Sequence, residues 1–301
     1  MFDKLQAYYC DSLLLAEKPN FSYYSGFHWF KDDSSSQWLG IPFGAIHKKE
    51  LLLLKSLFQY ESNSFAIHPK VQKWHDFLYN NGEIPISEND TNNRFILFHL
   101  FGKEWERDGL EEAMYGFFRD EAIILWEGHE FGIIIEQNSE PKEDESLFLS
   151  LSQTLESDFF IKAYFYSGKI QPLSKEWPAK IKEAQGFFEQ AIKLIPSQVF
   201  HTFERSLPFI LSHQMPKKIR NWLQSEILKK IADEPELLMT VKRFLENNSN
   251  VTLTAKELYI HRNTLQYRLD KFAQKTGVNF KDFNSTITVY LSCLLFKNEG
   301  N

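Results

Sequence analysis

Between Asn250 and Lys281 the sequence gathers side chains that can hydrogen-bond to base edges and phosphates: His261, Arg262, Asn263, Thr264, Gln266, Tyr267 and Lys271. Arg presents a planar fork that matches guanine, Asn and Gln match adenine, and Lys meets a phosphate as a point charge. Leu265, Leu269 and Phe272 recur among them at i, i+4 and i+7, so a helix opening at His261 buries one face and leaves the polar set on the other. His261 stands where a side chain can cap that helix. The polar residues crowd toward its N-terminal end, which is the end a recognition helix pushes into the major groove.

A shorter helix must hold the first in place. Ala255 and Leu258 face inward on it, Thr252 or Thr254 can cap it, and Ile260 plugs the turn that joins the two. The small side chain at Ala255 lets the helices cross closely. The glycine usual in such a turn is replaced by Tyr259, which requires either a turn that avoids positive φ or a residue that accepts strain. Flanking helices complete the core: Leu237, Leu238, Val241, Phe244 and Leu245 before the motif, and Ile287, Tyr290, Leu291, Leu294 and Leu295 after it. Two short amphipathic helices and a turn also occur in proteins that never touch DNA, so spacing alone leaves a protein-binding scaffold open.

Charge narrows the choice. The window from Asn250 to Lys281 carries six cations (Lys256, Arg262, Arg268, Lys271, Lys275 and Lys281) against Glu257 and Asp270, a net +4 in a chain of formal net charge −6. The whole molecule is not drawn to nucleic acid, but the local charge falls where the polar helix face does. At 301 residues, 43% hydrophobic and 25% charged, the chain is long enough for two or three compact units. Cys10 and Cys293 lie at opposite ends without ligand-like spacing, which fits a reduced cytoplasmic protein. No run approaches the roughly 20 apolar residues of a membrane span, and the expectation is a cytoplasmic protein without a membrane partner.

Residues 1–90 read as a small α+β unit that could serve as a sensor. Phe27–Phe30 and Gln37–Ile41 form a hairpin across the polar turn 31–36, followed by helices over Glu50–Phe58 and Val71–Leu78. The polar segment Asn80–Asn93, with Gly82 and Pro85, reads as a linker or long loop, and a domain boundary is set there. From Arg94 the pattern alternates through 91–195 in the order βαββαβα, an α/β sandwich whose middle hairpin closes through Glu127–Glu130. A helical connector, 196–235, follows, with helices over Phe200–Leu211 and Pro216–Ile231. Ile219, Trp222, Leu223, Ile227 and Ile231 share one face of the second, packing within the chain or against a second copy. Residues 236–301 form the all-α unit that carries the helix-turn-helix.

The run Ala255-x-x-Leu258-x-Ile260-His-Arg-Asn-Thr-Leu265-x-Tyr267-Arg-Leu269, followed by Thr276-Gly277, resembles the C-terminal helix-turn-helix of PucR/CdaR-type transcriptional regulators. More loosely, it is similar to the Fis-like DNA-binding domain, whose recognition helix docks through the positions matching His261, Arg262, Thr264, Gln266 and Tyr267. The hairpin Glu127-Gly128-His129-Glu130-Phe131 resembles the signature tip of GGDEF domains, which such regulators often carry in degenerate form. An active cyclase needs a glycine at the first position and carboxylates for metal on the first strand. Here Glu127 and His129 replace the signature's first glycine and its Asp, and Arg94–Phe101 offers no carboxylate.

The resemblance therefore implies a regulator of transcription that is not an enzyme. It implies double-stranded DNA as partner, a homodimer on a two-fold site, and control by an effector that is a small molecule or a protein. No catalytic, cofactor or metal-binding residue is expected. His99 and His129 could neighbour one another across strands, but two histidines without a third ligand are more often satisfied by hydrogen bonds than by zinc. No Walker A loop, GxGxxG after a strand, or GxSxG elbow is present. The alternative is a GGDEF-like module that binds or converts a nucleotide.

Overall fold

A computed structural model of the chain describes residues 2–19, 27–32, 37–61, 69–85, 92–102, 105, 107–118, 122–137 and 145–296. It is a mixed α+β structure that divides into two compact units, Met1–Phe203 and Glu204–Asn301.

The first unit opens with α1 (Phe2–Tyr8), β1 (Leu13–Leu15), β2 (Phe27–Lys31), β3 (Trp38–Pro42), α2 (Lys48–Leu57), β4 (Gln59–Glu61) and α3 (Pro69–Tyr79). The four strands form one antiparallel sheet in the order β1-β3-β2-β4. Its centre is the hairpin that the aromatic runs predict, pairing Phe27 with Pro42 and Lys31 with Trp38; positions 33–36 of the expected turn lie outside the described residues. The edge strands β1 and β4 are not foreseen in the sequence, because three residues are too few for a period to register.

A second sheet follows, from β5 (Arg94–Phe101), α4 (Arg107–Tyr115), β6 (Ile123–Trp126), β7 (Phe131–Glu136), α5 (Glu145–Phe159), β8 (Lys162–Ser167), α6 (Trp177–Leu194) and β9 (Phe200–His201). Strand order is β6-β7-β5-β8-β9. β5 lies in the middle, antiparallel to β7 and β8, and is covered on both faces, which is why its sequence is almost unbroken in apolar residues. Ile96, Phe98 and Leu100 point to a core shared with Leu110 and Met114 of α4 and Phe148, Leu151 and Leu155 of α5. Phe95 and Leu97 point the other way, to Trp177, Ile181 and Phe188 of α6.

Two elements depart from the sequence reading. Trp74, Phe77 and Leu78 of α3 belong to the same core as Phe95 and Trp177, so the helix read with the N-terminal unit packs on the second sheet. The polar stretch after it, of which 86–91 lie outside the described residues, is a loop by composition. Composition does not say whether the elements on either side share a core, and the compact division falls after Phe203. Phe200, expected in a helix, lies instead in β9, parallel to β8, with its ring stacked 4.8 Å from Phe148.

The second unit consists of α7 (Phe203–Gln214), α8 (Lys217–Glu226), a 3-10 turn (Leu228–Ile231), α9 (Pro235–Glu246), α10 (Val251–Glu257), α11 (Arg262–Thr276) and α12 (Phe283–Leu295). One core joins Ile227, Ile231, Leu237, Leu238, Val241, Phe244, Ala255, Leu265, Leu269, Phe272, Val289 and Cys293. The face expected on α8 is split. Leu223 within α8, and Ile227 and Ile231 at the 3-10 turn after it, are buried, while Ile219 and Trp222 on the same helix are exposed. On α12 the buried stripe is Val289, Ser292 and Cys293, and Ile287 is exposed. That stripe is also at helical spacing, but it includes a serine and a cysteine that an apolar count passes over.

Candidate nucleic-acid interface

Local hydrogen bonds set the two helices of the motif. The cap of α10 is Asn250, whose side chain accepts from the Leu253 amide at 3.0 Å. Thr254 lies inside the first turn, buried, and donates to the Asn250 carbonyl at 2.8 Å, while Thr252 is exposed. The threonines expected as caps therefore give way to an asparagine one residue before the helix. The far end of α10 closes with the Ile260 amide donating to the Ala255 carbonyl at 3.0 Å and the Tyr259 amide donating to Lys256 at 3.2 Å. That double bond is a Schellman ending, which requires a left-handed residue, and Tyr259 supplies it at φ +54°. Of the two turns the sequence allows, this is the strained one, costing about 1 kcal/mol against glycine. α11 closes on Gly277 at φ +77°, where glycine is the residue expected.

His261 caps α11 as its position predicts, its Nδ1 accepting from the Asn263 amide at 3.2 Å. Leu265, Leu269 and Phe272 are buried beneath the helix. His261, Arg262, Asn263, Thr264, Gln266 and Tyr267 are all exposed on it, and Gln266 donates to Asp270 at 3.0 Å. The structure thus brings six of the seven residues together as one open face over the first turns of α11.

Lys271 differs. It is half-buried and paired with Glu234, and Lys275, one turn on, reaches Asp233 at 2.9 Å and Glu234 at 2.5 Å. Hydrogen bonds from these lysines pull the Glu234 and Asp233 carboxyls below their ordinary range and raise both ammonium groups. Arg268, another cation of the basic window, donates to the Thr240 hydroxyl at 3.1 Å and braces α11 against α9. Asp233 and Glu234 lie roughly forty residues before their partners, so no local pattern links them. The signal the sequence does offer is an acidic pair just before Pro235, at the start of a helix.

The hairpin tip of the first unit is built differently. Glu127 is half-buried, and Gln185 of α6 donates to its Oε2 at 2.6 Å. Burial pushes its carboxyl up to about 7, with the Gln185 bond opposing. Gly128 turns at φ +104°. The His129 ring lies 4.3 Å from Trp105, while His99 Nε2 lies 3.9 Å from Glu130. Among the described residues no group of three or more His, Cys, Asp or Glu could hold a metal ion, and no helix is long and apolar enough to cross a membrane.

Residues 237–295 match the family model described as the PucR C-terminal helix-turn-helix domain. The chain is 37% identical over 275 residues to the uncharacterized protein YxkF of Bacillus subtilis (strain 168), covering 90% of this chain and 91% of that one. It is 33% identical over 96 residues to the purine catabolism regulatory protein of the same organism, 32% of this chain and 18% of that one. To its proline-responsive transcriptional activator PutR it is 36% identical over 64 residues, 21% and 16% of the two chains.

Proposed function

We infer the function from kinship: the chain belongs to the PucR/CdaR-type transcriptional regulators. We propose that it binds a specific double-stranded DNA site as a homodimer and that an effector, small molecule or protein, controls that binding. The observation that carries the proposal is the open polar face of α11. His261, Arg262, Asn263, Thr264, Gln266 and Tyr267 stand exposed at the end of the helix that enters a major groove, over a fully packed apolar underside. Lys271 contacts phosphate by exchanging Glu234 for DNA. In this reading residues 1–90 receive the signal, 91–195 are a degenerate GGDEF-like domain without catalysis, 196–235 connect, and 236–301 bind DNA. The βαββαβα order and the sequence of the hairpin tip support the second assignment. Glu127, filling the place of a glycine, supports the loss of catalysis.

The test is binding of the full chain to a library of genomic fragments at two salt concentrations. A defined site should be enriched, affinity should fall steeply with salt as phosphate counterions are displaced, and Arg262→Ala should cost roughly 1–3 kcal/mol at that site. Unchanged binding by Arg262→Ala would remove α11 as the reading element. With a guanine nucleotide and divalent metal we expect no turnover; turnover abolished by changing Glu130 would restore the enzyme reading.

A further inference from the structure

Tyr259 does nothing for the folded protein that a smaller residue would not do better. Its side chain is 97% exposed, so it contributes almost nothing to the core, and its backbone occupies a left-handed conformation that glycine adopts freely. The helix ending it closes depends on backbone amides alone, those of Tyr259 and Ile260. The end of α11 shows the cheaper solution, Gly277. A costly, unpacked aromatic at this turn is therefore to be explained by something outside the chain.

Its position says what. Tyr259 lies two residues before His261, the cap of α11, so when the first turn of that helix enters a major groove the preceding turn comes to the groove's edge, where the sugar-phosphate backbone runs. We propose that Tyr259 is a DNA-positioning residue whose phenol hydroxyl donates to a backbone phosphate beside the bases read by α11. A phenol is neutral, so it adds a directed hydrogen bond without displacing a counterion, and it fixes register without selecting sequence. Phe160 is also exposed and left-handed, at φ +57°, but it lacks a donor and belongs to the first unit. Strain and exposure alone do not make the case; a donor beside the reading helix does.

The inference rests on the DNA-binding reading of α11, and the experiment separates the two. Tyr259→Phe, Tyr259→Gly and Arg262→Ala are compared with the unaltered full chain on the enriched site and on unrelated duplex, across a salt series. Removing the hydroxyl should weaken binding roughly tenfold on both duplexes, the cost of one hydrogen bond to a charged acceptor, with the salt slope unchanged. Tyr259→Gly should lose as much while its melting temperature rises. If both Tyr259 variants bind as the unaltered chain does and Arg262→Ala loses the site, Tyr259 is not a DNA contact and the reading of α11 stands. If Arg262→Ala also binds normally, the reading of α11 falls and the inference with it. A loss confined to the enriched site would likewise overturn the phosphate assignment.

Discussion

Glu127 and Tyr259 each stand where resemblance would place a glycine, one at a hairpin tip and the other at a helix-turn-helix turn, and the fold treats them in opposite ways. Glu127 is drawn inward, its carboxyl held by Gln185 and pushed up to about 7 by burial. Tyr259 is thrown outward, with its ring in solvent and its backbone strained. The first replacement turns a carboxyl into the fold, against Gln185. The second leaves the motif's geometry intact and adds a donor to its outer surface. A departure from a glycine position is thus not one kind of event: the direction of the side chain decides whether it closes a surface or extends one.

The largest expected effect concerns Glu127. Its folded-state carboxyl is raised, so the folded chain holds the proton after the unfolded chain has released it. Stability should therefore fall as pH rises from the ordinary carboxylate range to about 7, with the full penalty above that. Glu127→Gln should be more stable than the unaltered chain by roughly 2–3 kcal/mol at pH 8, with the difference vanishing near pH 4. Denaturant melts at the two pH values would show it. Equal stability at pH 8 would mean that the carboxyl reaches water, and the contrast with Tyr259 would collapse.

Relief of strain at Tyr259 is smaller. Tyr259→Gly should stabilise the second unit by about 1 kcal/mol at most, since glycine also gives the unfolded chain more freedom to lose. A loss of stability in thermal melts would show that the ring packs after all. The smallest effect belongs to the acidic pair. Glu234→Gln should free Lys271 and Lys275 from the pairing they must otherwise break to meet phosphate, strengthening binding to unrelated duplex about threefold at low salt. Unchanged affinity would show that pairing with Glu234 does not hold these lysines back from DNA.

The helix-turn-helix was legible because its information is local. The spacing of Leu265, Leu269 and Phe272 places one face, and the cap at His261 follows from position. The β5 strand and the β2–β3 hairpin were legible for the same reason. Less was visible where a residue's fate depends on distant partners. Of the apolar face read on α8, only Leu223, Ile227 and Ile231 are buried, and the docking of α3 on the second sheet follows from a pairing with Trp177 about a hundred residues away. The seven candidate residues divide in the same way. Six follow from helical period, while the engagement of Lys271 depends on Glu234, across the start of α9.

What the sequence determined by itself was the local motif: a periodic helix pair with polar side chains at the start of its second helix, set in a basic window of an acidic chain. These properties repeat within one or two helical turns, and short-range order in a chain is written in short-range sequence. Only the tertiary structure decided which charges remain open to a partner and which are spent inside the molecule. It likewise decided that the Glu127 carboxyl turns toward Gln185. Both depend on groups brought together from far along the chain, and such meetings leave no period to read.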